Sequence, residues 1–165
     1  METTLFLLCP TDCLESKINE EFKGDNLFYS SLANNSSFDS KTIRDIEELV
    51  NRYSIKEVYF VLSKQNKIIS KVMIGQSFSQ IRGLQNFNSQ INKHKDHSML
   101  FWDSTDIIGV IISYYINQKI EQLKENFRSD INKLVSIKGK IYLKSENKFH
   151  DIHSKIVCLN KLNLN

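Results

Sequence analysis

Short apolar runs in the first third of the chain predict buried β-strands. Residues 4–9 form a continuous apolar run that Pro10 stops, and residues 56–63 form a second run that is nearly as apolar. Runs of this length without polar alternation are typical of strands covered on both faces of a parallel sheet. The turn signal Gly24-Asp25 comes before a further strand at residues 27–29. The pattern therefore indicates three strands before residue 64.

Helical periodicity separates the second and third of these strands. The apolar residues at helical spacing are Ile43, Ile46, Leu49, Val50 and Tyr53. Asp39 or Ser40 is the predicted cap of this helix. Residues 14–22 are predicted to form a short helix or a turn. A strand, a helix and a strand with short connections predict a right-handed crossover and a parallel strand pair.

The second half of the chain has a less regular pattern. Apolar residues recur every three or four positions from Phe78 to Ile91 and suggest a helix, followed by a polar loop at 93–98 and a short strand at 99–102. Ser104 is the predicted cap of a long helix over residues 105–126, with Asp106 in its first turn. Residues 138–144 and 149–154 read as a hairpin, and residues 155–159 as one more strand.

These elements predict the α/β fold class and one domain over residues 1–165. The expected architecture is a central, mostly parallel sheet of about four or five strands flanked by helices, with a C-terminal hairpin. At 165 residues the chain is long enough for one core and too short for two comfortable domains.

Composition excludes several classes of partner. Hydrophobic residues make up 41% of the chain and charged residues 25%, which are ordinary values for a globular protein. The net charge of +3 is spread along the chain without a basic face, so no nucleic-acid binding is expected. The richest apolar stretch, residues 107–116, is half the length of a membrane span, so no membrane insertion is expected. Three cysteines without an export signal predict reduced thiols and a cytoplasmic location.

The order of elements and a few turn residues resemble the β-class carbonic anhydrases. That family has a first strand ending in Cys-x-Asp-x-Arg, which residues 5–13 resemble. Its Gly-Asp-x-Phe-Val-x-Arg-Asn-Ala-Gly-Asn stretch is similar to residues 24–35, with one extra residue after Gly-Asp. Its next helix and strand are similar to residues 43–53 and 55–62, and its closing hairpin to residues 138–152. The resemblance implies a β-carbonic-anhydrase-like fold.

The same resemblance implies that most of the zinc site is replaced. Five residues fall on the family's site positions. Cys9 falls on the first zinc ligand, Thr11 and Cys13 on the aspartate and arginine of the Asp-Arg dyad, Ser63 on the ligand histidine and Asn66 on the second ligand cysteine. Hydroxyl and carboxamide groups do not normally replace thiolate or imidazole as zinc ligands. Without zinc, no bound water is acidified for attack on carbon dioxide, so no metal and no cofactor are expected.

Other residues offer weaker candidates for a metal site. Asp12 lies one position from the dyad aspartate, but a shift of one residue at a strand end turns a side chain to the other face. Cys9 and Cys13 lack the spacing of common zinc sites and are interpreted as free thiols. The pairs His94/His97 and His150/His153 are interpreted as solvated, the first in a loop and the second on or beside a strand.

The expected function is therefore that of a non-catalytic, zinc-free binding or scaffolding module, a pseudoenzyme. Two alternatives remain open. One is an active zinc carbonic anhydrase with a rearranged metal site, and the other is a small-anion-binding protein that uses the vacated pocket of Cys9, Thr11, Cys13, Ser63 and Asn66. A homodimer is expected as well. The 105–126 helix is apolar on more of its circumference than one sheet face can cover. Residues 27–29 correspond to the edge strand of the family's sheet, and an edge strand leaves backbone donors and acceptors that a second subunit could pair.

Overall fold

The computed structural model describes residues 2–101 and 106–153, apart from the side chains of residues 97–101. Within these residues the chain forms five strands and six helices. The strands are β1 Thr3–Leu8, β2 Asp25–Ser30, β3 Glu57–Ser63, β4 Ser136–Leu143 and β5 Lys148–Asp151. The helices are α1 Glu15–Glu21, α2 Ser40–Arg52, α3 Lys67–Met73, α4 Phe87–Phe101, α5 Ile107–Asn126 and α6 Ser129–Leu134. Short 3-10 turns follow β1 at Pro10–Asp12 and β2 at Leu32–Asn34.

The five strands form one sheet in the order β2-β1-β3-β4-β5. The first three strand pairs are parallel, and β4 and β5 form an antiparallel hairpin. This topology confirms the predicted mostly parallel sheet with a closing hairpin. The carboxyl ends of β1 and β3 lie side by side, because Leu8 pairs with Val61. The residues that follow these two strands are therefore neighbours in space, at the edge where open α/β sheets place their ligands.

Alternate residues of the central strands face two separate cores. In β1, Leu5 and Leu7 belong to the larger core, which the sheet shares with α2 to α6. Phe6 and Leu8 point to the opposite face and pack in a smaller core that α1 covers. Helices on both faces leave these strands almost no contact with water, which explains their uninterrupted apolar runs.

Two helix starts show what the local sequence predicts well and where it falls short. The carboxylate of Asp39 accepts hydrogen bonds from the backbone N–H groups of Lys41 and Thr42, which confirms Asp39 as one of the two predicted caps of α2. The predicted cap of the long helix, Ser104, lies outside the described residues. In the structure α5 begins at Ile107, and Asp106 caps it by accepting a hydrogen bond from the N–H of Gly109.

The middle of the chain departs from its prediction. Phe78, Ile81 and Leu84 lie in a turn-rich segment before α4, although their spacing predicted a helix. The helix α4 runs through the predicted polar loop at 93–98 and through the described part of the predicted strand at 99–102. Packing decides this segment, because Phe87 and Ile91 are fully buried and the ring of Phe87 meets Tyr115 of α5 edge-on. A polar outer face is compatible with a helix held in this way. The helices α3 and α6 were not predicted.

The long helix α5 is covered within its own chain. Its buried residues include Val110, Ile111, Ile112, Tyr115 and Ile116. They pack between the sheet and α4, so the broad apolar surface of this helix does not require a second subunit. The strand predicted at 155–159 lies outside the described residues. No helix in the described part of the chain combines the length and the apolar character that crossing a bilayer would take.

Candidate functional site

Cys9 lies directly after β1 and is almost fully buried, with 1% of its surface exposed. Its Sγ atom accepts a hydrogen bond from the backbone N–H of Ala33 at 3.1 Å. The same sulfur lies 3.0 Å from the Oγ1 of Thr11, close enough for a second hydrogen bond. The structure therefore brings together Cys9 and Thr11, two of the five predicted pocket residues, around one thiol.

Cys13 lies apart from this thiol. It ends the 3-10 turn in a left-handed conformation with φ of 51° and is exposed. Its Sγ atom contacts the carbonyl oxygen of Pro10 at 3.5 Å. Cys9 and Cys13 are both free, and they are placed in different environments.

Ser63 and Asn66 both accept hydrogen bonds from backbone N–H groups at or just before the start of α3. Ser63 is the last residue of β3, and its Oγ accepts a hydrogen bond from the N–H of Gln65 at 3.1 Å. Asn66 is fully buried, and its Oδ1 accepts hydrogen bonds from the N–H groups of Ile68 and Ile69 at 3.1 and 3.0 Å. This is the geometry of a helix N-cap, in which a side-chain oxygen pairs two backbone donors that the helix itself leaves unpaired.

Asp12 joins the two strand ends, which the sequence reasoning did not foresee. One carboxylate oxygen accepts a hydrogen bond from the N–H of Ser63 at 2.8 Å, and the other accepts one from the Nδ2 of Asn66 at 2.9 Å. The prediction that Asp12 faces away was wrong because residues 10–12 form a 3-10 turn, so the two-residue alternation of a strand does not apply to them. Pro10 was the available signal, since proline favours the first turn of a helix.

The carboxyl of Asp12 has a raised pKa. Burial raises its pKa to about 6, against the opposing effect of the hydrogen bonds from Ser63 and Asn66. Desolvation disfavours the charged carboxylate, while donors favour it. Asp12 therefore titrates well above the usual range of an aspartate, at the point where β1 and β3 end.

The segment after β2 completes this end of the sheet. Asn34 is buried, and its Nδ2 donates hydrogen bonds to the carbonyl oxygens of Leu7 and Val61 at 2.9 and 2.8 Å. Ala33 and Asn34 both have positive φ angles, of 52° and 55°. Left-handed alanine is rare, so this backbone is maintained by its surroundings. The sequence prediction treated Asn34 only as a loop residue.

A polar cavity of about 680 Å³ lies on the outer side of the same segment. Its charged lining residue is Lys119 of α5, which is only 3% exposed. The Nζ of Lys119 donates a hydrogen bond to the Oδ1 of Asn35 at 2.8 Å, and the hydroxyl of Tyr115 donates to the same oxygen at 3.3 Å. Burial lowers the pKa of Lys119 to about 8. Nothing in the sequence distinguished this lysine from Lys124, the other lysine of α5.

The residues at the strand ends do not fit a zinc ion. Zinc sites in proteins use four ligands from thiolate, imidazole, carboxylate and water. Within residues 2–101 and 106–153 no three histidine, cysteine, aspartate or glutamate side chains lie together as a metal-binding group. His150 pairs with Glu146 in the hairpin, and His94 stacks on Tyr114 and contacts Gln118.

The fold is that of the β-class carbonic anhydrases, as the resemblance in sequence motifs implies. No family model matches the chain, and no curated protein matches it in sequence. A mutant of the β-carbonic anhydrase CafD from Aspergillus fumigatus is similar in structure, with a TM-score of 0.73 and 11% identity over 93% of this chain and 90% of that one.

Two further solved structures show the same likeness. One of the tetrameric β-carbonic anhydrases from Sordaria macrospora has a TM-score of 0.69 and 14% identity, over 92% of this chain and 80% of that one. The Coccomyxa β-carbonic anhydrase in complex with acetazolamide has a TM-score of 0.65 and 11% identity, over 92% of this chain and 72% of that one. At such identities the likeness defines the fold and leaves the activity to be argued from the site.

Proposed function

We propose that this protein is a non-catalytic, zinc-free β-carbonic-anhydrase-like protein that acts as a binding or scaffolding module. The observation that carries the proposal is the hydrogen bonding of Asn66. Its amide caps α3 with the oxygen and donates to Asp12 with the nitrogen, so the side chain has a structural role on both sides. A side chain used in this way is not available as a ligand that a metal could recruit without uncapping the helix.

The state of Cys9 supports the same proposal. Its thiol is surrounded by the Thr11 hydroxyl and the Ala33 N–H rather than by further thiolate or imidazole groups. A buried cysteine with such neighbours behaves as a small apolar residue that also accepts weak hydrogen bonds. Catalysis by the family's chemistry needs a metal to lower the pKa of a bound water, and the donor set around Cys9 does not favour one.

The alternative of a small anion at Cys9, Thr11, Cys13, Ser63 and Asn66 competes with Asp12. The N–H of Ser63 and the Nδ2 of Asn66 are the donors that such an anion would need, and the carboxylate of Asp12 already accepts from both. The protein thus supplies its own anion at the strand ends. Displacing it would bring a second negative charge beside a partly buried carboxylate, which is unfavourable.

Metal content and activity together test the proposal. Protein purified without chelator should contain far less than one zinc ion per chain and should not hydrate carbon dioxide above the buffer rate in a stopped-flow indicator assay. The matched control is Cys9→Ala, which removes the one thiol that falls on a zinc-ligand position of the family and changes the side-chain volume little. We expect the metal content and the hydration rate of the variant to equal those of the wild type.

The rival reading, an active zinc enzyme with a rearranged site, makes the opposite prediction. It requires one zinc ion per chain in the wild type, loss of that zinc in Cys9→Ala, and hydration activity that falls with it. That set of results would replace the proposed function with a carbonate dehydratase.

We also propose that the protein forms a homodimer and resides in the cytoplasm. The support for self-association is the position of β2 at the edge of the sheet, where one side of its backbone has no neighbouring strand within the described residues. The support for a reducing compartment is the free state of Cys9 and Cys13 together with the odd cysteine count.

A further inference from the structure

A buried ammonium group without an acidic partner faces the polar cavity. Lys119 is 3% exposed, yet no carboxylate in the described part of the chain forms an ion pair with it. Among the described residues its Nζ donates one hydrogen bond, to the neutral amide oxygen of Asn35, and it lies 5.8 Å from the ring centre of Phe38 and 5.5 Å from that of Tyr115. A lysine ammonium has three donors. Buried charges in proteins are usually paired with an opposite charge, so the ammonium of Lys119 is suited to bind an anion.

The cavity is lined by groups that bind polar molecules and carry no negative charge. The lining side chains other than Lys119 are hydroxyls, amides and two aromatic rings, among them Asn35, Phe38, Thr42, Gln90 and Gln122. The cavity therefore presents one positive charge surrounded by neutral donors and acceptors. Its volume of about 680 Å³ lies within the range of small-molecule sites.

One acceptor in the lining lacks a donor. The Oε1 atom of Gln90 is buried and has no hydrogen-bond partner among the described residues. Unpaired buried polar atoms are uncommon in folded proteins, because each one costs the hydration it has lost. A hydroxyl or amide group of a ligand would supply the missing donor if the Gln90 side chain rotated to turn this oxygen into the cavity.

Hydrogen bonds anchor the loop after β2, which lines the cavity beside α5. Asn34 joins this loop to the strand ends, and the amide nitrogen of Asn35 donates to the carbonyl of Gly83, another lining residue, at 2.6 Å. Phe38, a bulky residue, has a positive φ of 47°. Such conformations cost energy and concentrate at binding sites, where they hold a surface in one shape.

We propose that this cavity binds a small polar organic monocarboxylate, with its carboxylate on the Nζ of Lys119 and its hydroxyl or amide groups on the neutral lining. This inference rests on the proposed binding function and names a site separate from the zinc-derived residues. A single positive charge is matched by one carboxylate, whereas a phosphate dianion would keep an uncompensated charge. The volume favours an acid larger than acetate.

Titration calorimetry with gluconate, a polyhydroxylated monocarboxylate, tests the proposal. We expect gluconate to bind, and sorbitol, its uncharged counterpart, to bind at least about tenfold more weakly, because a charge-assisted hydrogen bond is absent. Acetate should bind more weakly than gluconate, since it reaches only the ammonium. Affinity for gluconate should fall as the pH rises past about 8, where Lys119 loses its proton.

Lys119→Met should weaken gluconate binding at least about tenfold and should fold, because an apolar side chain replaces a buried, unpaired charge. The matched control is Lys124→Met on the same helix, where the lysine pairs with Glu121 and does not line the cavity. It should leave the affinity for gluconate unchanged.

Three outcomes would overturn the proposal. One is equal gluconate affinity in the wild type and Lys119→Met. Another is binding of both acids weaker than about 10 mM. The third is a change in the oligomeric mass of Lys119→Met without gluconate binding by the wild type, which would show that the cavity takes part in contact with a second copy of the chain instead. None of these results bears on zinc content, so failure here is distinguishable from failure of the proposed function.

Discussion

At the scale of single residues, Asp12 is the most consequential side chain at the strand ends. Its two carboxylate oxygens connect the turn after β1 to the last residue of β3 and to the cap of α3. This arrangement pairs both ends of the Asn66 amide, because its oxygen accepts from two N–H groups of α3 and its nitrogen donates to the carboxylate of Asp12. A site position that the resemblance assigns to a metal ligand is thus held by a hydrogen-bond network with a structural role.

The raised pKa of Asp12 predicts a specific pH dependence of stability. The folded state holds the proton up to about pH 6, whereas the unfolded chain releases it near the ordinary value of 3.8. The free energy of unfolding should therefore fall as the pH rises from about 4 to about 6, by at most about 3 kcal/mol, and stay at the lower value above that range. Urea denaturation of the wild type and Asp12→Asn across this range measures the effect.

Asp12→Asn cannot titrate, so its loss of stability over this range should be smaller than that of the wild type. Loss of the hydrogen bond from Asn66 lowers the free energy of unfolding of the variant by the same amount at every pH, so it does not alter how steeply that free energy changes with pH. Asp45→Asn, which removes an exposed carboxyl from α2, controls for surface charge. Parallel pH profiles for the wild type and Asp12→Asn would contradict the raised pKa.

At the scale of elements, the close contact between β4 and α5 depends on a glycine, Gly139, at the point where they meet. A Cβ atom at Gly139 would lie 2.5 Å from the Cγ2 of Ile116 and 2.6 Å from the Cδ1 of Ile152. Both distances are far below contact distance, so the helix lies against the bare backbone of the strand. Glycine inside a strand is typical of such a close approach.

Gly139→Ala should therefore destabilise the protein by about 1–3 kcal/mol through overpacking, although alanine is otherwise the better residue in a strand. Chemical denaturation measures the change. Adding Ile152→Val removes one of the two crowding methyl groups and should recover part of the loss. A single variant as stable as the wild type would show that α5 moves away from β4 without cost.

At the scale of the whole molecule, the sheet has two edges, β2 and β5, and the proposed dimer uses the first. Light scattering should give twice the 19.3 kDa of one chain at micromolar concentration. Phe28→Lys places a charge on the β2 edge and should yield the monomer, because a charged edge strand resists pairing. Phe149→Lys on β5 is the matched control, since both rings are partly buried against the same small core.

The control variant should keep the mass of the wild type. A wild-type mass of one chain that does not change on concentration would exclude the dimer. The cover of α5 by α4 within one chain agrees with either result, so only the measurement decides the oligomeric state.

The sequence by itself determined the strands of the parallel sheet, the helix α2 between β2 and β3, and the closing hairpin. The apolar runs of β1 and β3, the cap at Asp39 and the turn before β5 are local signals, and each acts within a few residues. Such signals survive in any context, because burial on both faces and helix capping depend on the residue and its immediate neighbours. The α/β class and the mostly parallel sheet followed from them, whereas the β-carbonic-anhydrase-like fold was expected from the resemblance to that family.

Only the tertiary structure decided α4, the role of Asp12 and the burial of Lys119. The polar residues of α4 are helical because Phe87 and Ile91 pack against α5, which lies far along the chain. Asp12 and Asn66 are 54 residues apart in sequence, and Lys119 and Asn35 are 84 apart. Contacts of this kind depend on where the sheet and the helices bring distant residues together, so no local sequence pattern predicts them.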